Sequence, residues 1–255
     1  MEADPALTAY EAFAAVYNEF NHANDYEMWL GRVLLPELRK HGLREGGRAL
    51  DVACGTGRAF QPLLRRGWRI QGCDLSPAML ERAAEEGGDQ VSLQVADMRD
   101  LPRFGEFDLV LSLNDSVNYL LGDDDLVAAL TGMKANLAEH GLLLFDVNSR
   151  SAYGSGYAWD REIEHEGSRW VWAGRGEVAP SVFEAEISGD RLEPSRHLER
   201  FRPEQEVLEA MRSAGIQPLA SLGMSEKEGQ VELSEPADED RDYKLVFIGT
   251  VSRSG

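Results

Sequence analysis

Two glycines one residue apart, Gly55 and Gly57, follow an apolar run that starts at Arg48, and a carboxylate, Asp74, ends a second apolar run downstream. Residues of these types at this spacing can hold a nucleotide-like ligand. Glycine reaches backbone angles closed to other residues and lets a ligand approach the main chain. An acid about 20 residues beyond the first strand is placed to accept hydrogen bonds from ribose hydroxyls. A dinucleotide fingerprint needs a small residue three positions after its second glycine, and Gly55-Thr56-Gly57-Arg58-Ala59-Phe60 puts a phenylalanine there, which argues against a pyrophosphate. A lone G-x-G also occurs in ordinary tight turns, and a lone acid in a solvated loop. The pair in order, strand by strand, is what points to a ligand.

The remaining reactive side chains are sparse. Neither a Ser/His/Asp order nor a Cys/His metal spacing stands out. The histidines are His22, His41, His140, His165 and His197. His41 and His140 adjoin glycines expected to end helices, whereas His165 and His197 fall in a later, strand-rich segment and are the weak candidates for a general base, with Tyr17.

The elements that must position these residues alternate. Helical material from Thr8 to Lys40 is interrupted around Asn21 to Asp25. Strand and helix patterns then alternate to about residue 150, the sign of a parallel sheet covered on both faces. Ser76 reads as an N-cap with Pro77 in the first helical position. From Asp160 to Arg202 four strand-like runs separated by Gly or Pro predict antiparallel pairing: Arg161 to Glu166, Arg169 to Val178, Ser181 to Ser188 and Leu192 to Phe201. A helix from Pro203 to Ala214 and strands at Ile216 to Leu222 and Tyr243 to Val251 close the chain. The acidic stretch Glu226 to Asp242 reads as a solvated loop.

Composition narrows the partners. A length of 255 residues suits one sizeable core, and a net charge of −19 repels phosphate backbones, so a small molecule is favoured over nucleic acid. Arg65, Arg66 and Arg69 cluster without forming a basic groove. Two cysteines, Cys54 and Cys73, in a chain without secretory features predict reduced thiols and a cytoplasmic protein. No run approaches the roughly 20 apolar residues that cross a bilayer.

Taken together, these motifs resemble the class I S-adenosylmethionine-dependent methyltransferases. Leu50 to Gly57 is similar to their first motif, Gly72-Cys73-Asp74-Leu75-Ser76 to the segment after it, Val95-Ala96-Asp97-Met98 to the adenine segment, Phe107 to Leu113 to the fourth strand, and His140 to Asp146 to the fifth. Ala53 stands where glycine is frequent. The resemblance implies an α/β fold: a Rossmann-like seven-stranded sheet of order 3-2-1-4-5-7-6, with helices on both faces and an antiparallel β insert. It also implies S-adenosylmethionine as cofactor. Asp51, Ala53, Gly55 and Gly57 would form its loop, Asp74 and Leu75 would hold the ribose side, Asp97 and Met98 would meet adenine, Leu113 and Asn114 would border the methionine portion, and Tyr17 would close over it.

The insert, which ends His197-Leu198-Glu199-Arg200-Phe201, together with Asp115-Ser116-Val117-Asn118-Tyr119-Leu120 and Tyr17-Asn18-Glu19-Phe20, resembles a narrower group that includes amino-sugar N-methyltransferases and other tailoring enzymes. On this reading residues 1–44 form a helical cap, 45–150 the cofactor core, 151–202 the insert, and 203–255 the last helix and hairpin. Methyl transfer would go to the N, O or C nucleophile of a small molecule. Asp115, Asn118, Tyr119, Tyr153 and Trp170 are the acceptor-side candidates. Trp170 and Trp172 project to one face of a strand, a face that could cover the substrate, form a small core or make a homodimer. The alternatives are a cofactor-binding protein without turnover and a nicotinamide-dependent oxidoreductase.

Overall fold

The computed structural model describes residues 4–227 and 229–251. Its first strand, β1 (Arg48–Val52), is buried at every position after Arg48, as a strand covered on both faces must be. It pairs in parallel with β2 (Arg69–Asp74) on one side and β4 (Phe107–Ser112) on the other. β3 (Val91–Val95) lies outside β2, and β5 (Leu137–Asn148) outside β4. The chain thus runs outward through β2 and β3, then returns to the other side of β1. Open α/β sheets bind ligands at such a reversal, beyond the carboxyl ends of the strands.

Beyond β5 the pairing turns antiparallel. β12 (Lys244–Val251) inserts between β5 and β10 (Ile216–Lys227), which completes the expected order 3-2-1-4-5-7-6. An eighth strand, β11 (Gln230–Ser234), extends this edge by pairing with β10. It corrects the reading of Glu226 to Asp242 as a loop. Val231 and Leu233 alternate with polar residues and pack on the core, and Asp242 is wholly buried, accepting hydrogen bonds from Ser234 Oγ and Asp238 N, both at 2.9 Å. Strand periodicity here outweighs the acidic composition.

Helices α1 (Pro5–Phe13), α2 (Tyr17–Phe20) and α3 (Leu35–Lys40), with a π-helical segment over Glu27–Leu34 before α3, form the N-terminal part. Short α4 (Gln61–Leu64) and longer α5 (Pro77–Gly87) follow β1 and β2, while α6 (Asp125–Ala135), α7 (Arg150–Gly156) and α8 (Glu204–Ser213) complete the set. Ser76 caps α5, its Oγ accepting from Met79 N at 3.2 Å. Two apolar clusters sandwich the sheet, one containing Leu34, Phe60 and Ile248, the other Val110, Leu130 and Phe247. His140 lies exposed on β5, beyond the end of α6 at Ala135, and does not adjoin a helix end as expected.

The insert forms a second, four-stranded antiparallel sheet of β6 (Asp160–His165), β7 (Ser168–Ala179), β8 (Val182–Gly189) and β9 (Leu192–Arg200). One of its faces packs against the N-terminal helices through Phe13, Val16, Trp170, Ile187 and Leu192. Cys54 and Cys73 are buried free thiols. Among the described residues no helix is long and apolar enough to cross a membrane.

Candidate active site

A cavity of about 930 Å³, part of it open to solvent, lies at the carboxyl ends of β1, β2 and β4. Its floor is the loop after β1, where Ala53 (φ +58°), Gly55 (φ +54°) and Gly57 (φ +82°) all take left-handed angles. Alanine pays roughly 1–2 kcal/mol for that conformation, which accounts for the preference for glycine there. The two glycines serve different ends. A Cβ at Gly55 would meet nothing within 4 Å, because the residue borders the cavity, whereas a Cβ at Gly57 would sit 2.3 Å from Phe60 Cζ. Phe60, fully buried, packs its ring over Gly57 where a dinucleotide loop keeps space.

Asp74 ties the loop to the second strand. Its Oδ2 accepts from Gly55 N at 2.8 Å and its Oδ1 from Ser76 N at 2.9 Å. Each carboxylate oxygen has a further lone pair, so the group can still accept from ribose hydroxyls. Burial pushes its pKa up, and the backbone N–H bonds pull it back. Asp97 borders the far end of the cavity; burial would raise its carboxyl, but Arg99, with Nε 2.9 Å from Oδ1, holds it below the usual value. Arg99 also bridges to Asp4 at 2.6 Å, and Glu11 Oε1 accepts from Ser76 Oγ at 2.6 Å, so α1 is latched over the cofactor side.

The N-terminal segment supplies the roof. Thr56 Oγ1 donates to Asn18 Oδ1 at 2.6 Å, and Arg58 donates to the carbonyls of Asn21 and Asn24 at 2.6 and 2.8 Å. Tyr10, Tyr17 and Tyr26 line the space beneath. Burial, with Asp115 nearby, pushes the Tyr17 hydroxyl up to about 12.

At the end of β4, Leu113 and Asn114 complete the wall. Asn114 and Asp115 are consecutive left-handed residues, a costly pair, and the Asp146 carboxylate holds it by accepting from both backbone N–H groups at 2.6 and 2.9 Å. Lys244 Nζ neutralises the cluster, 2.7 Å from Asp146 and 2.5 Å from Asp115. Burial opposes its charge, but the two carboxylates prevail and raise its pKa.

Of the residues expected at the cofactor, Tyr17, Ala53, Gly55, Asp74, Leu75, Asp97, Met98, Leu113 and Asn114 line this one cavity. Gly57 lies under Phe60, and Asp51 is buried behind the loop with both carboxylate oxygens lacking a side-chain or backbone partner. The acceptor-side set divides. Tyr119 lines the cavity, whereas Asp115 is bound to Lys244. Asn118 is fully buried, bridging Arg200 O at 2.8 Å and Asn148 N at 3.0 Å, and Tyr153 packs with Tyr157 and Phe201. Trp170 donates from Nε1 to Asp190 O at 2.9 Å beneath the N-terminal helices. His165 stacks on His22 at 4.2 Å, and His197 is buried behind Tyr119. No residue of 151–202 is among those lining the cavity, because the aromatic face of the insert is used to seat α1.

Residues 49–141 match the family model described as a methyltransferase domain. Residues 49–141 of the chain form a methyltransferase domain. A protein of Bacillus subtilis (strain 168), YqeM, provisionally named a methyltransferase, is 29% identical over 232 residues, which are 82% of this chain and 86% of that one. The dTDP-3-amino-3,4,6-trideoxy-alpha-D-glucopyranose N,N-dimethyltransferase of Streptomyces venezuelae is 30% identical over 137 residues, 50% of this chain and 57% of the relative. The solved structure of an S-adenosylmethionine-dependent methyltransferase from Clostridium acetobutylicum ATCC 824 superposes with a TM-score of 0.78 at 22% identity, covering 96% of this chain and 99% of the other.

The residues present fit S-adenosylmethionine, the cofactor that the sequence resemblance implies. The open space over Gly55 admits a ligand against the backbone, and Asp74 retains acceptor capacity. Bound there, S-adenosylmethionine supplies an electrophilic methyl carbon. Tyr10, Tyr26, Arg58, Ser116 and Leu120 also line the cavity and were not anticipated. Arg58, inside the glycine loop, carried a usable signal in its position.

Proposed function

We propose that this methyltransferase acts on an amine nitrogen of a small organic molecule. The reading is carried by one observation: beside Leu113 and Asn114 the same cavity is lined by Tyr10, Ser116, Tyr119 and Leu120. A lining of this kind suits a small organic acceptor. The aromatic lining also suits a nitrogen that becomes cationic as it is methylated. The Streptomyces relative, named for an amino sugar, supports nitrogen over oxygen or carbon.

The protein's part is orientation, which can contribute up to roughly 7–11 kcal/mol to a bimolecular step. On this reading Tyr17 and Asn114, which line the cavity with Tyr10 of α1, bracket the reacting end. We assign residues 1–44 to the helical cap, 45–150 and 203–255 to the cofactor core, and 151–202 to a brace that supports α1.

The test incubates the purified protein with S-adenosylmethionine and paired acceptors, each an amine and its hydroxyl analogue, including the dTDP-3-amino sugar named above. Mass spectrometry should find methyl on amines alone. Methylation of the hydroxyl analogues, or no transfer to any amine by a protein that binds the cofactor, would overturn the reading.

A further inference from the structure

A chain of hydrogen bonds runs from the insert to the cavity wall, and its proton count has one solution. Ser195 Oγ lies 3.0 Å from Ala9 O and 3.0 Å from His197 Nε2, while His197 Nδ1 lies 2.9 Å from Tyr119 Oη. A carbonyl only accepts and a serine has one proton. If that proton pointed at the imidazole, two oxygen acceptors would face each other unbridged in a buried site. Ser195 therefore donates to Ala9 O and accepts from Nε2–H. The neutral ring then carries its lone pair on Nδ1, and the Tyr119 O–H donates to it.

His197 is buried, 1% exposed, beside Tyr10, Phe13 and Trp172. Burial lowers its pKa to about 4 despite Asp115, so it stays neutral and cannot store a proton from the reaction. Burial also raises both the Tyr119 and the Tyr10 hydroxyls well above their ordinary value. The rings of these two tyrosines stand 5.2 Å apart, and both line the cavity. With its proton committed to His197, Tyr119 can only accept from a ligand.

We propose that Tyr119, its proton direction fixed by His197, receives an N–H of the methyl acceptor and thereby turns the nitrogen lone pair toward the methyl donor. This rests on the amine reading above and narrows it. The acceptor enters as an uncharged primary or secondary amine. Its lone pair forms the N–C bond, the C–S pair returns to sulfur, and the surplus proton leaves the product ammonium for water. A tertiary amine has no N–H to offer, so methylation stops at the dimethylated nitrogen. His197 is a positioning residue, and Ser195 sets its tautomer.

Two measurements test this without a known acceptor. Long-range ¹H–¹⁵N correlation spectra of the protein bound to S-adenosylhomocysteine, assigned with His197→Asn, should show His197 protonated on Nε2 and bare on Nδ1. Ser195→Ala should shift it toward the other tautomer. Protonation on Nδ1, or on both nitrogens, in the unaltered protein overturns the proposal. The second probe is sinefungin, which carries an amine in place of the sulfonium methyl. Tyr119→Phe should weaken sinefungin about tenfold relative to S-adenosylhomocysteine. His197→Leu should do the same, and His197→Asn, whose Oδ1 can take the Tyr119 proton, should restore the ratio. Unchanged S-adenosylhomocysteine affinity shows that the variants fold. An unchanged ratio in Tyr119→Phe refutes the N–H contact while leaving the methyltransferase reading intact.

Discussion

Replacing Glu199 by Gln should flatten the dependence of stability on pH. Glu199 is 1% exposed on β9, and its Oε2 accepts from Asn148 Nδ2 at 2.9 Å and from Tyr153 Oη at 3.1 Å. Burial, with the Asp115 carboxylate adding to it, pushes its pKa from 4.5 up to about 8. Between those values the native state holds a proton that the unfolded chain has released. Stability therefore falls as pH rises through that window, and the contribution is fully present below the unfolded value. Each unit is worth about 1.36 kcal/mol, so a shift of about 3.5 units amounts to roughly 5 kcal/mol. Gln cannot ionise and still offers an oxygen to Tyr153 and Asn148. Urea unfolding of both proteins across pH, read as the difference between them, cancels the other titrations. The two should be nearly equal at about pH 5, with Glu199→Gln several kcal/mol more stable at about pH 9. A difference that does not change with pH would refute the assignment of a buried, neutral Glu199.

Asp74→Ala should weaken S-adenosylhomocysteine by about ten- to a hundredfold by calorimetry, the loss of hydrogen bonds to a charged acceptor. Asp74→Asn, which keeps one acceptor oxygen, should lose less. The two loop glycines should respond in opposite ways: Gly57→Ala meets the Phe60 ring and should cost about 2–4 kcal/mol in thermal or urea unfolding. Gly55→Ala, with open space around it, should cost only the roughly 1–2 kcal/mol of a left-handed alanine in stability and mainly reduce cofactor affinity. Lys244→Met leaves Asp115 and Asp146 uncompensated and should cost about 3–5 kcal/mol of unfolding free energy.

The parts of the fold with a chemical reason to be what they are could be read directly. Left-handed positions demand Gly55 and Gly57, a strand covered on both faces demands the apolar run at β1, and an N-cap demands Ser76 before Pro77. β11 was hidden because acidic residues outnumber Val231 and Leu233, though the period of two was present. Tyr10 and Tyr26 sit at helical spacing, where a side chain facing the core and one facing a cavity read alike. The same ambiguity held for the insert. Its tryptophans share a face as expected, but only the fold shows that α1 and α2 occupy that face. The Asp115–Lys244–Asp146 cluster joins positions up to 129 residues apart, and nothing local announces it. The π-helical turn over Glu27–Leu34 has no signature in residue type either.

The central claim is that the cavity over Gly55 and Asp74 is built for S-adenosylmethionine and closed to a dinucleotide by Phe60. Isothermal titration of the purified protein with S-adenosylhomocysteine and, separately, with NAD tests it most directly. Saturable binding of S-adenosylhomocysteine and no heat from NAD is the expected result. Saturable NAD binding with no response to S-adenosylhomocysteine would contradict it.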